Sequence, residues 1–192
     1  AISSVWDEFD SACRACRAEV SGLYCGMAID SIPRRVLFLD FDGVLHPEDS
    51  RQTGMFVHMD AFANVVRAHL DTVDIVISSS WRESFAFVQL LEFFPEDIQD
   101  NVVGMTPVFE KSCSNGMRGK EIAAYCKRHG LEDADILVLD DSRAMFDAGD
   151  AARVRWVNPQ TGLTTEDLEH IGAFFSGARH AGCTHTDNSF CM

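Results

Sequence analysis

The sequence carries two pairs of carboxylates, each placed directly after a run of apolar residues. Val36 to Leu39 lead into Asp40, followed by Phe41, Asp42 and Gly43. Much later, Ile136 to Leu139 lead into Asp140 and Asp141. Gathered carboxylates repel one another, so a hard cation such as Mg2+ is their natural partner, with Asp40, Asp42, Asp140 and Asp141 as candidate ligands. A third apolar run, Ile75 to Ile77, ends in Ser78-Ser79-Ser80-Trp81-Arg82. Hydroxyls opening a helix, together with its first amides and Arg82, suit an anionic group. The plainer reading makes one serine a helix cap and pairs Arg82 with an acid such as Glu83. Further on, Lys111 lies in a loop, and Arg118 and Lys120 stand at a helix start. Either of these last two becomes a charge clamp if the helix start lies over the carboxylates.

The elements follow from the same runs. Unbroken apolar stretches read as strands buried on both faces of a parallel sheet, and ligands of such sheets sit beyond the strands' carboxyl ends. Strands are expected near 35–40, 75–77, from 102, at 136–140 and at 154–157, with the two acid-tipped strands able to be neighbours at the switch point. Helical stripes separate them: Phe62, Val65, Val66, His69 and Leu70 behind an Asp60 cap; Phe85, Val88, Leu91 and Phe94 up to Pro95; Ile122, Cys126 and His129 up to Gly130; and Leu168, Ile171 and Phe175 behind a Thr164 cap with Asp167 in the first turn. The fold class is α/β: a three-layer, Rossmann-like, doubly wound parallel sheet of five strands. Gly43 permits a sharp turn after the first carboxylates. Residues 46–58, with Pro47 and Gly54, read as a loop overhanging them. His46 opens that loop, where it can touch a substrate or stand in solvent.

A length of 192 residues suits one domain with a proper core. Residues 1–34 read as a helical segment packed on the core, 35–176 as the catalytic domain and 177–192 as a small, polar, poorly ordered tail. No apolar run approaches the ~20 residues of a membrane span. No basic-then-apolar leader is visible, and seven cysteines, an odd number scattered along the chain, favour reduced thiols in the cytoplasm. Cys13 and Cys16, or Cys183, His185 and Cys191, could begin a zinc motif. The first pair shares a helical stripe with Val5, Trp6, Phe9 and Val20 and reads better as small core residues. The net charge of −14 opposes nonspecific nucleic-acid binding but leaves room for an end recognised through a local basic rim.

Taken in order, Asp40-Phe-Asp42-Gly-Val-Leu, the Ser-Ser-Ser-Trp-Arg strand end, a basic residue before a helix and Leu139-Asp140-Asp141 resemble the four motifs of the haloacid dehalogenase (HAD) superfamily. Leu45-His46-Pro47, Ser80-Trp81-Arg82, Arg118-Gly-x-Glu-Ile122 and Asn158-Pro-x-x-Gly-Leu-Thr164 resemble, more narrowly, the HAD domains of Swiss Army Knife RNA repair proteins. Val44 departs from the threonine that many phosphatase members carry there. The resemblance implies a Mg2+-dependent phosphatase. Asp40 would form an aspartyl-phosphate, and Asp42 would serve as acid and then base. Asp40, the backbone carbonyl of Asp42, and Asp140 or Asp141 would hold the ion. Ser79 or Ser80 would bind a phosphoryl oxygen, and Arg118 or Lys120 would neutralise it: family pattern favours Arg118, residue type Lys120. Gly43, His46 and Arg82 fall on the substrate side. The stretches 43–74 and 106–117 are too short for a large cap domain. An open site admits a phosphorylated nucleic-acid end, a nucleotide or a phosphoprotein. A silent binding module has no need of four carboxylates together, and a HAD phosphotransferase is the other alternative.

Overall fold

A computed structural model of the chain describes residues 34–109 and 116–177. The expected N-terminal helix with Cys13 and Cys16, the loop at Lys111, and the tail with Cys183, His185 and Cys191 lie outside the described residues. The chain divides into Ala1–Pro33 and Arg34–Met192, and the sheet lies in the second part.

Five short strands form one wholly parallel sheet: β1 (Arg35–Leu39), β2 (Val73–Ile77), β3 (Val102–Met105), β4 (Ile136–Asp140) and β5 (Val154–Trp156), in the order β3-β2-β1-β4-β5. The order reverses between β1 and β4, so the two acid-tipped strands are neighbours at the switch point, where ligands of such sheets bind. Parallel strands need crossovers: α1 (Met59–Arg67), α2 (Phe87–Leu91) and α3 (Met117–His129) supply three of them, short 3-10 turns at Arg143–Met145 and Ala148–Arg153 make the connection from β4 to β5, and α4 (Thr165–Phe175) follows β5.

Strand alternation sorts the core into two layers. Leu37, Leu39, Ile75, Ile77, Leu137 and Leu139 pack with Phe62 and Val66 of α1 and Ile171 and Phe175 of α4. Val36, Phe38, Val76, Ile136 and Val138 pack instead with Ile122 and Cys126 of α3. By the same alternation, the next residue of β1 after Leu39 faces α3. Asp40 therefore lies on the layer that α3 covers, and so does Asp140, because Leu39 pairs with Leu139 in register.

Two helices depart from the sequence expectation. The first turn of α1 begins behind His58, not Asp60, and His58 makes no capping bond because its Nε2 meets the Thr161 carbonyl at 2.7 Å. Asp60 lies inside the first turn, where its charge favours the helix dipole. The stripe Phe85–Val88–Leu91–Phe94 is not the buried face of one helix. Phe85 and Val88 are exposed, and α2 buries Leu90 with Phe94 just beyond it. The segment before Ala86 is an irregular turn, so helical spacing cannot be carried back to Phe85. Thr164 caps α4 as expected, its hydroxyl accepting from the Asp167 amide while Asp167 Oδ2 accepts from the Thr164 amide at 3.0 Å. Gly130 ends α3 in the left-handed conformation. Among the described residues no helix is long and apolar enough to cross a membrane.

Candidate active site

The carboxyl ends of the strands line up a row of polar residues. Backbone bonds continue the sheet one step past the strands: Ser78 N donates to Leu39 O, Asp40 N to Leu139 O, and Thr106 N to Ile77 O. Thr106, Ser78, Asp40 and Asp140 thus stand side by side on adjacent strands, about 4.8 Å apart, and all four are buried. In β5, Trp156 is level with Asp140.

One oxygen from each of Asp40, Asp140 and Asp141 lies within 4.8 Å of the others. The approach of Asp141 depends on Gly43. That residue has φ +69, and a Cβ there would sit 2.3 Å from Asp141 Oδ2. The sharp turn expected at Gly43 is present, and the missing side chain is also what admits the third carboxylate.

The first turn of α3 rests on this row. Arg118 Nη1 donates to Asp40 Oδ2 and, at 2.5 Å, to Asp140 Oδ2. Burial opposes the Arg118 charge, but Asp40 and Asp140 outweigh it, and the guanidinium stays protonated above its ordinary range. Lys120 is exposed and its ammonium lies 3.9 Å from Asp147, away from the carboxylates. Of the two candidate clamps, only Arg118 is brought to the site.

Arg118 also has a companion that sequence reasoning missed. Glu121, one helical turn along α3, is buried and accepts from Arg82 Nη2 and, at 3.0 Å, from the Phe109 amide. Arg82 Nη1 donates to the Ser78 and Ser79 carbonyls. The expectation that Arg82 faces a substrate anion is corrected to this extent: its terminal nitrogens are engaged in the interior, bracing the end of β2 against α3. Burial pulls the Arg82 guanidinium below its usual range; Glu121 works against this and Arg118 adds to it.

The Arg82–Glu121 pair balances itself. Among the described residues Arg118 alone faces Asp40, Asp140 and Asp141, which leaves two negative charges uncompensated, the charge of one divalent cation. Oxygen-only donors at this spacing suit a hard ion such as Mg2+. Without the ion, Asp140 responds by holding a proton: burial first, and then the Asp40 charge, push its carboxyl up to about 7. Burial and Asp40 also raise Asp141. A carboxyl raised in the folded state binds a proton that the unfolded chain lacks, so ion-free stability falls as pH rises from about 4 to about 7. Melting in chelator is expected to drop over that window, and Mg2+ is expected to raise the midpoint more at pH 8 than at pH 6. A midpoint indifferent to Mg2+ at both values contradicts the site.

Asp42 stands apart. Its side chain is 47% exposed and absent from the three-carboxylate cluster. His46 Nε2 lies 3.1 Å from its Oδ1, and the Trp81 indole donates to its Oδ2 at 2.8 Å. His46 is not solvated. It is buried at 2% exposure, packed against Phe56. Of the serines, Ser79 is the cap of the short turn Ser80–Glu83, its hydroxyl accepting from the Trp81 amide at 3.4 Å, and Ser80 is exposed. Ser78, not singled out from the sequence, is level with Asp40, and its buried hydroxyl has no partner among the described residues. The signal for it was positional: it is the first hydroxyl after the apolar run.

Parallel five-stranded α/β topology with acids at the switch point is consistent with a HAD-type domain. A family model described as the HAD domain in Swiss Army Knife RNA repair proteins matches residues 36–168, and the chain belongs to that family. No curated protein matches the chain. Membership makes it an enzyme domain of the hydrolase and phosphatase type, in a superfamily that generally uses Mg2+. The segments where a cap would be inserted, 40–58 and 106–116, hold no large domain.

Proposed function

We propose that the chain is a Mg2+-dependent phosphatase working through an aspartyl-phosphate on Asp40. The observation that carries this reading is the division of labour among the acids. Asp40 sits with Asp140, Asp141 and Arg118, whereas the Asp42 carboxylate is turned away and half exposed. An Asp40 oxygen attacks phosphorus in line as the ester bond breaks, and Asp42 gives its proton to the leaving oxygen. Asp42 then takes a proton from the water that attacks phosphorus, releasing phosphate and restoring Asp40. Arg118 holds Asp40 and faces the incoming negative charge. Ser78, rather than Ser79 or Ser80, is the serine placed to meet a phosphoryl oxygen. Asp40, Asp140, Asp141 and the Asp42 backbone carbonyl would hold Mg2+, which when bound offsets the repulsion between carboxylates and phosphate.

The substrate in this reading is a phosphorylated nucleic-acid end, ahead of a free nucleotide or a phosphoprotein. The family is described from RNA repair proteins, and a site without a large cap admits a macromolecular end. The overall charge opposes such a substrate, but the rim has a local cation. The Arg143 guanidinium lies 4.6 Å over the ring of Trp156, the residue level with Asp140, and among the described residues it makes no ion pair. RNA and DNA oligonucleotides with 3′- or 5′-phosphates, nucleotides and a phosphopeptide, compared by kcat/KM, test the reading, and an oligonucleotide end is expected to be best. Arg143→Ala is expected to raise KM for that end about two- to fivefold, the weight of an exposed charge contact, and to leave a small aryl phosphate unchanged. A phosphopeptide preferred over every oligonucleotide would overturn the substrate assignment. The scattered thiols, of which Cys126 is free and buried with its thiol pushed up by that burial, fit a reducing compartment such as the cytoplasm.

A further inference from the structure

Both oxygens of the Asp42 carboxylate are held by side chains that the chemistry above does not use. Oδ1 faces His46 Nε2 at 3.1 Å, and Oδ2 accepts from Trp81 Nε1 at 2.8 Å. An ionised carboxylate only accepts, so the proton of a neutral imidazole is assigned to His46 Nε2. Its Nδ1 is then a buried atom with no partner among the described residues. Around the pair stands an aromatic cage. The Phe56 ring lies 5.3 Å from His46, 5.5 Å from Trp81 and 5.5 Å from Phe41, and stacks on Phe93 at 4.8 Å. Phe41 meets Trp81 at 5.8 Å. Phe56 is the one described residue other than glycine with positive φ, at +57. A bulky residue in that region is strained and persists only where its surroundings enforce it.

An aspartate that merely closes a turn needs one donor. It does not require a buried histidine with an unsatisfied nitrogen, or a strained phenylalanine seated over that histidine. A carboxylate with a donor on each oxygen cannot turn about its Cβ–Cγ bond, so its remaining lone pairs keep a fixed direction. We propose that His46 and Trp81, caged by Phe56, are positioning residues that fix the Asp42 carboxyl for proton transfer to the leaving oxygen. This rests on the reading of Asp42 as the acid. It gives two of the subfamily-like segments, Leu45-His46-Pro47 and Ser80-Trp81-Arg82, one shared task.

The leaving group supplies a readout that a structural role does not move. A nitrophenolate departs without a proton, whereas an alkoxide such as a ribose oxygen needs one. Trp81→Phe removes the indole N–H and keeps an aromatic ring in the cage. His46→Leu removes the other donor, and His46→Gln restores one near the Nε2 position. Trp81→Phe and His46→Leu are each expected to lower kcat/KM for an alkyl phosphate about tenfold or more while p-nitrophenyl phosphate changes less than about threefold. His46→Gln is expected to recover most of the loss, and the Mg2+-induced rise in melting midpoint is expected to be unaltered throughout. Asp42→Asn is the control and is expected to show the same split more strongly. If Asp42→Asn shows the split and Trp81→Phe, folded by its melting curve, does not, the positioning role is overturned and the acid assignment stands. If Asp42→Asn itself lowers kcat/KM equally for both substrates, the acid assignment fails and the positioning role fails with it.

Discussion

Asp40→Asn is expected to abolish phosphate release, lowering kcat about 10⁴-fold or more, the scale on which removing a covalent nucleophile acts. The substitution is nearly isosteric, and the reason for the loss is chemical. Asp40 is buried, its Oδ1 accepts from the Phe41 amide at 2.8 Å, and its Oδ2 accepts from Arg118. An asparagine keeps the first bond through its carbonyl oxygen but turns an NH2 toward the guanidinium and leaves no anionic oxygen to attack phosphorus. The fold is expected to persist, because the apolar layers on both faces of β1 are untouched. The Mg2+-induced rise in melting midpoint is expected to shrink as one of three carboxylate ligands loses its charge. Steady-state release of phosphate from an aryl phosphate, measured beside a melting curve, checks both halves.

Arg118→Met is expected to damage stability and activity together. It strips the shared cation from two buried carboxylates, and breaking a buried pair on one side costs about 3–5 kcal/mol. The loss in ion-free protein is expected to be larger at pH 8 than at pH 5, because Asp140 can relieve itself by taking a proton at the lower value. Mg2+ is expected to return part of the stability but not the activity, which is expected to fall about 10²- to 10³-fold with the loss of charge stabilisation at the reacting group. Both bonds to the carboxylates come from Nη1 alone, so one nitrogen does the bridging. Arg118→Lys preserves that connectivity and is expected to recover most of the stability and a substantial share of the rate. Lys120→Met, on the exposed side of the same helix, is expected to change stability by no more than about 0.5 kcal/mol. Denaturant unfolding with and without Mg2+, with kcat measured on each variant, separates these cases.

The backbone frame was legible because buried parallel strands announce themselves as unbroken apolar runs. Val36–Leu39 and Ile136–Leu139 also carry the acids at their ends. Their adjacency followed from topology, and the register Leu39 to Leu139 then sets Asp40 beside Asp140. The side-chain partnerships were less legible, since each depends on which helix turn lies over which strand end. Arg118 and Glu121 are three residues apart and share one face of α3. Only the placement of that face over the row reveals that one grips Asp40 and the other Arg82. Ser78 was passed over because strand and serine run together in sequence, and only the sheet bond from its amide to Leu39 shows that it is still in line. His46 looked like a loop residue because nothing nearby in sequence hints that Phe56 folds back over it. Phe85 misled because apolar spacing was extended through residues 84–86, which are not helical, and Val88 because it lies on the exposed face of α2.

In the proposed reaction Asp40 carries the phosphoryl group during turnover at a cation-dependent site. The most direct measurement is an acid quench of wild-type protein turning over a ³²P-labelled phosphomonoester, followed by peptide mapping of the label. Radioactivity is predicted on the peptide containing Asp40, dependent on Mg2+ and absent from Asp40→Asn. Phosphate released with no label on the chain at any quench time, or with the label on another residue, would contradict it.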